Sequence, residues 1–210
     1  MCYSAEVSLG TFAAVGTACL YLWMRNQGID RGIACVLFII SLMQLFEYIL
    51  WINPECNNAN KTVSAIIPVY LYLQPALLAL AVWLTNSGTG TFYPLIILAS
   101  IIGFAPYICY IVANRKSPCI FKGECGHLDW NILDNVLNTT LEPYQYITYI
   151  LYYGAMVYVI STLKNRFFAN TFLIFGGLSL LVTNMTYNEV WGSVWCHSVN
   201  AMAIVAIAKM

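Results

Sequence analysis

Charged residues are scarce in this chain. Asp, Glu, Lys and Arg make up only 9% of its 210 residues, whereas 60% are hydrophobic; an average soluble domain is about 25% charged. Nine basic residues balance nine acidic residues, so no positive excess is present to hold a polyanion, and a nucleic-acid partner is excluded. Disorder is excluded as well, because so apolar a chain has ample surface to bury. The composition indicates an integral membrane protein whose main partner is the lipid bilayer.

The chain also lacks the short motifs that identify several common enzyme classes. It has no Gly-rich phosphate loop, no Gly-x-Ser-x-Gly elbow and no His-Glu-x-x-His zinc pair. The last apolar run has no lysine in mid-membrane, since Lys209 stands at its very end, and a retinal Schiff base is therefore excluded. Residues 1–6 include no basic residue, which predicts that the first helix inserts itself without a cleavable signal peptide.

Apolar runs recur seven times, each about as long as the ~17–25 residues with which a helix crosses a hydrocarbon core. The runs cover residues 7–24, 32–52, 63–84, 92–113, 144–163, 169–187 and 192–208. Short connections between most of them force neighbouring helices antiparallel, and Pro68, Pro75 and Pro106 predict kinks. The sequence predicts an all-α fold, with one seven-helix transmembrane bundle over residues 1–210 and an outer loop at 114–143.

The basic residues predict the orientation of this bundle. One side holds one acidic residue, Asp30, together with the basic residues Arg25, Arg31, Lys164, Arg166 and Lys209. On the other side the basic residues lie mostly in the long loop 114–143, where they weigh less in the positive-inside rule. The amino terminus is then outside and the carboxyl terminus cytoplasmic. Two glycosylation acceptor triplets, which begin at Asn60 and Asn138, fall on the outer side and agree with this orientation.

The predicted orientation also places each cysteine relative to the membrane. Those at or beyond the outer surface are Cys2, Cys56, Cys119, Cys125 and Cys196. Cys119 and Cys125 stand six positions apart in a loop with Pro118 and Gly123, a spacing that favours a small disulfide-closed loop in an oxidising compartment. A structural zinc site at this pair is the weaker alternative, because zinc sites use tighter pairs and more histidines.

One acidic residue lies inside a predicted helix. Glu47 is five residues from the outer end of the second apolar run, and Gln44 precedes it by one turn on the same face. An acidic residue at a helix centre costs about 2.5–3.5 kcal/mol to insert, and less near the interface, so Glu47 is predicted to face the bundle and to have a partner. Two interpretations stay open, a hydrogen bond that packs helices together and a functional site.

Further polar residues gather near the outer ends of the first and last helices and in the outer loop. They are Cys2, Ser4, His127, Ser193, Cys196 and His197. If the first, second and last helices are neighbours, thiol, imidazole and carboxylate groups converge, and such a set suits zinc with an open position for water. The predicted zinc ligands are Cys2, His127 and Cys196.

In this hypothesis Glu47 is a further ligand or the general base for a metal-bound water, and Ser4 and Ser193 are the other candidate catalytic residues. Three alternatives compete with it. Cys2 and Cys196 can form a disulfide that ties the first helix to the last. His197 can serve as an interhelical hydrogen-bond partner. Removal of the initiator methionine would also leave Cys2 as the terminal residue, whose amine and thiol can chelate a metal or attack an acyl group.

Three segments resemble the signatures of a known family. They are Met1-Cys2-Tyr3-Ser4-Ala5, Gln44-Leu45-Phe46-Glu47-Tyr48-Ile49-Leu50-Trp51 and Ser193-Val194-Trp195-Cys196. The family consists of small, uncharacterised polytopic membrane proteins from bacteria, protists and large DNA viruses. The resemblance implies a seven-helix bundle and no particular activity. The residues that it marks are Cys2, Ser4, Glu47, Trp51, Ser193, Trp195 and Cys196.

A more distant similarity links the chain to membrane hydrolases such as alkaline ceramidases and adiponectin-type receptors, which are seven-helix proteins with zinc held by histidines. This sequence departs from their pattern, since it has two histidines and no His-x-x-x-His pair. The likeness is therefore one of architecture, which does not imply function.

Three function classes remain. The first is a polar, metal-binding site near the outer leaflet that hydrolyses or senses a lipid-like substrate. The second is a small-solute or ion transporter or channel in which Gln44, Glu47 and Gln74 line a path. The third is a structural protein of a cell or virion membrane, with its thiols in disulfides and no turnover.

Overall fold

The computed structural model describes residues 4–114, 118–123, 126–129, 142–186 and 191–208. Cys2, Cys125, Asn138 and Lys209 lie outside these residues. The helices are α1 (Ala5–Arg25), α2 (Asp30–Ile52), α3 (Asn58–Leu84), α4 (Tyr93–Asn114), α5 (Glu142–Ser161), α6 (Arg166–Thr186), α7 (Trp191–Val199) and α8 (Met202–Ala208). A two-stranded antiparallel hairpin, β1 (Phe121–Lys122) and β2 (Leu128–Asp129), lies between α4 and α5.

The fold is mostly helical, as predicted, and five helices are long and apolar enough to cross a membrane. The five segments are Ala5–Arg25, Asp30–Ile52, Asn58–Leu84, Tyr93–Tyr110 and Arg166–Thr186. Two shorter apolar segments are Ile147–Ser161 and Gly192–Ala208. Large hydrophobic side chains also point outward, for example Met185 at 85% and Ile150 at 71% exposure. Such an apolar exterior is typical of a protein surrounded by lipid.

Local signals in the sequence account for the first helix boundaries. Ser4 caps α1 by accepting a hydrogen bond from the Val7 amide, and Asn26 ends α1 in the left-handed conformation with φ 49°. The next helix begins at Asp30, whose carboxylate accepts hydrogen bonds from Arg25 Nε at 2.6 Å and Nη2 at 2.8 Å. This two-point contact holds the short α1–α2 connection closed.

The helices form one packed bundle around α2. This helix contacts α1, α3, α7 and α8, while α5 and α6 complete the circuit from α3 to α7. The first, second and last helices are therefore neighbours, which is the condition on which the convergence of their polar groups depends. The last helix is broken rather than continuous, because the Asn200 side-chain amide donates to the Cys196 carbonyl at 2.7 Å where α7 ends.

The bundle end formed by residues 26–29, 85–92 and 162–165 is here called the turn end. Gly32 approaches Ser87 so closely that a Cβ at position 32 would lie 2.0 Å from the Ser87 Oγ atom, which explains the glycine. The connection before α4 is tied to the end of α5 by the Thr89 amide, which donates to the Thr162 carbonyl at 2.8 Å. Tyr158 OH also accepts hydrogen bonds from this connection, from the Thr91 amide at 3.2 Å.

The opposite end, formed by the disulfide and the β1–β2 hairpin, is here called the hairpin end. Cys119 is bonded to Cys56, with 5.6 Å between their Cα atoms. The predicted Cys119–Cys125 disulfide is therefore wrong. Cys119 pairs with Cys56 because the Asn60 side chain binds the backbone of the next residue, Ile120. It accepts a hydrogen bond from the Ile120 amide at 3.1 Å and donates one to the Ile120 carbonyl at 2.9 Å. This contact brings the loop to the start of α3, beside Cys56.

Asn60 itself is fully buried, with 0% exposure. Its Nδ2 atom also donates to the Asn53 carbonyl, and its Oδ1 atom accepts from the Ser64 hydroxyl. The amide that would carry a glycan is thus occupied and covered in the folded protein. The first acceptor triplet therefore gives no support to the orientation argued above.

Candidate functional site

The polar group inside the bundle is centred on two side chains of α2. Gln44 and Glu47 are 0% and 1% exposed, and Gln44 Nε2 donates to Glu47 Oε2 at 3.0 Å. Gln44 Oε1 faces α7, where it lies 3.1 Å from His197 Nδ1. Glu47 thus faces the bundle and has a partner, as predicted. His197 makes an interhelical hydrogen bond, which was the alternative to a role in a metal site.

The carboxyl group of Glu47 is only partly satisfied. Its Oε1 atom has no hydrogen-bond partner among the described residues, although the Ser193 side chain lies close enough to interact with the carboxyl group. Cys196, one turn further along α7 than Ser193, is buried and lies near the Glu47 carboxyl group. A buried polar atom without a partner costs about 1–3 kcal/mol, so this atom is a candidate contact for a further polar group.

The structure also places the remaining sequence-predicted residues. Ser4 is the cap of α1, and its hydroxyl donates to Glu6 Oε2 at 2.6 Å. Trp51 lies at the end of α2 with the Lys122 ammonium group 5.9 Å from its ring centre, a contact that joins the hairpin to α2. His127 is 3% exposed within the hairpin, and this burial lowers its pKa below the usual range.

The zinc hypothesis gains no support from this arrangement. Among the residues that the structure describes, no group of three or more His, Cys, Asp and Glu side chains is placed to hold a metal ion. One predicted ligand, Cys2, lies outside those residues. Cys196 carries a free thiol, which argues against the alternative of a Cys2–Cys196 disulfide.

A cavity of about 210 Å³ adjoins this polar group. Its walls come from α2, α3, α5, α6 and α7, and most of its lining is apolar, including Ile40, Met156 and Phe172. Two of its wall residues are exposed on the outside of the bundle, Val157 of α5 at 51% and Gly177 of α6. The cavity therefore opens sideways, between α5 and α6.

Cys196 and Trp195 belong to the cavity wall as well. Trp195, which the family resemblance marks, turns into the bundle: its Nε1 atom donates to the Gly176 carbonyl at 2.9 Å, and its ring meets the Tyr153 ring edge-on at 6.3 Å. Cys196 connects the two features, because it lines the cavity and lies near Glu47. The polar group and the cavity are thus adjacent parts of one site.

Sequence reasoning missed part of this wall. Tyr152 OH donates to Gln74 Oε1 at 2.8 Å, across 78 positions of sequence. Gln74 was considered only for a transport path, and it lines the cavity together with Cys196. The available signal was the tyrosine-rich face of α5, which a membrane-interface interpretation explains equally well.

Comparisons with family models, curated proteins and solved structures found no match for this chain.

Proposed function

We propose that this multi-pass membrane protein binds a lipid-like molecule, with a hydrocarbon chain of the ligand in the cavity between α2, α3, α5, α6 and α7. The observation that carries the proposal is the cavity itself, whose apolar walls open between α5 and α6 on the outside of the bundle. In a membrane this opening faces hydrocarbon, so an acyl chain is the molecule that reaches it without crossing water.

The volume of the cavity is sufficient for specific binding of a chain. An engineered apolar cavity of about 150 Å³ binds benzene, and this one measures about 210 Å³. A chain whose shape matches the walls gains van der Waals contacts that a loosely held lipid or detergent tail does not make.

The buried polar group supports a ligand that has a head as well as a tail. Glu47 Oε1 has no hydrogen-bond partner among the described residues, Ser193 and Cys196 lie near the same carboxyl group, and Cys196 also lines the cavity. A plain alkane would leave these atoms unsatisfied, whereas the polar end of an amphiphile can approach them. This preference sets lipid binding above a purely structural role.

We also infer that all seven apolar segments cross the membrane, with the hairpin end on the oxidising side. Two observations support this orientation, and a third supports the number of crossings. The Cys56–Cys119 disulfide lies at the hairpin end, and disulfides persist in oxidising compartments. Arg31 and Lys164 lie at the turn end, in agreement with the positive-inside rule. The second short apolar segment, Gly192–Ala208, packs against α1 and α2 inside the bundle.

The binding proposal is tested by fluorescence quenching in detergent micelles. Full-length protein is titrated with stoichiometric amounts of dibromostearic acid methyl ester, whose bromine atoms quench a nearby indole. We expect saturable quenching, and we expect Trp195→Phe to lose it, because Trp195 is part of the cavity wall. Gly177→Leu places a side chain at the cavity opening and is expected to weaken binding by at least about tenfold.

Gly103→Leu is the matched control. Gly103 of α4 and Gly177 are both exposed helix glycines, and a Cβ at either position would meet nothing within 4 Å. Only Gly177 lines the cavity, so Gly103→Leu should leave the affinity unchanged. Quenching that does not saturate, or equal effects of both substitutions, would overturn the proposal.

A further inference from the structure

Gln74 contributes a polar side chain to the cavity wall. This residue lies within α3 and is 3% exposed. Its one hydrogen bond among the described residues is the contact in which Oε1 accepts from Tyr152 OH at 2.8 Å. Because Gln74 also lines the cavity, its Nε2 group is a donor without an acceptor among the described residues, on the wall of a mostly apolar space.

The amide is held in this orientation by packed rings. Tyr152 is 7% exposed, and its ring meets that of Tyr153 edge-on at 5.1 Å and that of Tyr72 at 6.3 Å. These contacts fix the Tyr152 hydroxyl, which in turn fixes Oε1 of Gln74. The amide nitrogen, on the other side of the same planar group, is left for a different acceptor.

Among the described residues, no protein acceptor is hydrogen-bonded to this nitrogen. The cavity wall consists mostly of apolar side chains and also includes Tyr153 and the Cys196 sulfur, which accepts hydrogen bonds only weakly. Water is an unsuitable occupant, since a buried water needs two to four polar partners. An oxygen atom of the ligand satisfies the donor best.

We propose that the ligand is an acyl compound, such as a fatty acid or fatty acyl ester, whose carbonyl oxygen accepts a hydrogen bond from Gln74 Nε2. This inference rests on the proposed lipid binding and adds the chemical class of the ligand. The acyl carbonyl joins directly to the hydrocarbon chain, so one molecule satisfies the donor and fills the apolar space. A hydrocarbon without oxygen fills the same space and leaves the donor unsatisfied.

The test compares two probes that differ in their oxygen atoms. Full-length wild type and Gln74→Met are titrated in micelles with dibromostearic acid methyl ester and with dibromo-octadecane, and quenching of Trp195 is measured. For each probe, the affinity of the variant is compared with that of the wild type, so the partition of the probe into micelles cancels. We expect the substitution to weaken binding of the ester about fivefold, the value of one hydrogen bond, and to leave the alkane unchanged.

A second variant guards against a structural effect. Gln74→Met removes the acceptor of Tyr152 OH, so the double variant Gln74→Met/Tyr152→Phe, which leaves no orphaned hydroxyl, should show the same selective loss. If both probes bind at Trp195 and the substitution weakens them equally or not at all, the acyl inference is overturned while lipid binding stands. If neither probe quenches Trp195 in the wild type, lipid binding falls and the inference falls with it.

Discussion

Replacement of Asn60 by alanine tests how the outer loop is attached to the bundle. The side chain makes four hydrogen bonds, two donated to the Asn53 and Ile120 carbonyls and two accepted from the Ile120 amide and the Ser64 hydroxyl. The Ile120 amide keeps one further acceptor, the Ser64 Oγ atom at 2.9 Å. The two carbonyls lose Asn60 as a donor.

These contacts set the size of the expected effect. At about 1 kcal/mol for each hydrogen bond, with partial compensation at the Ile120 amide, Asn60→Ala should cost about 3 kcal/mol of stability. For a chain of this length that is about 9 °C in melting temperature. Asn57→Ala is the matched control: Asn57 caps the same helix from an exposed position, and loss of a cap costs about 1 kcal/mol, or about 3 °C.

The assay is thermal unfolding of the purified protein in detergent, combined with hydrogen exchange at the Ile120 amide. Asn60→Ala should speed exchange at this amide far more than Asn57→Ala does, because it removes two of the three hydrogen bonds that hold Ile120 among the described residues and leaves the one to Ser64 Oγ. A fall in melting temperature no larger than that of the Asn57 variant would show that the buried amide does not anchor the loop.

Two further predictions concern the orientation and the pH dependence. A membrane-impermeant amine reagent applied to intact cells should label Lys122, which is exposed at the hairpin end, and spare Lys164, which is exposed at the turn end; peptide mass spectrometry that finds the reverse pattern would invert the topology. Burial lowers the pKa of His127 from its ordinary 6.5, so the unfolded chain binds a proton more readily and stability should fall as the pH drops below about 6.5. The melting temperature of His127→Gln should fall less than that of the wild type between about pH 7.5 and about pH 5; an identical fall would assign the pH dependence to other groups.

The buried acid illustrates what can be predicted from one helix. Glu47 and Gln44 stand three residues apart, which places them on the same helix face, and the high cost of a carboxyl group in lipid requires it to face inward. Both expectations agree with the observed hydrogen bond of 3.0 Å. The third residue of this hydrogen-bonded group, His197, could not be predicted in this way. Its contact with Gln44 depends on how α7 packs against α2, across 153 positions of sequence.

The disulfide illustrates the opposite case. A spacing of six residues made Cys119 and Cys125 appear suited to each other, yet Cys119 is bonded to Cys56, 63 positions away. A disulfide requires two cysteines whose Cα atoms lie close together in space. Their spacing in the sequence predicts this distance only when the loop between them folds back on itself. Here Asn60 holds Ile120 against α3, and the adjacent cysteine follows it.

The sequence by itself determined that the chain is helical and apolar and where most of its helices lie, because hydropathy, span length and helix capping act over a few neighbouring turns. It also determined that Glu47 is buried, because the cost of a carboxyl group in lipid does not depend on the rest of the fold. Only the tertiary structure decided the disulfide partner and the cavity with Gln74 on its wall. These features arise where helices distant in sequence meet, and their geometry depends on how side chains from several helices pack together.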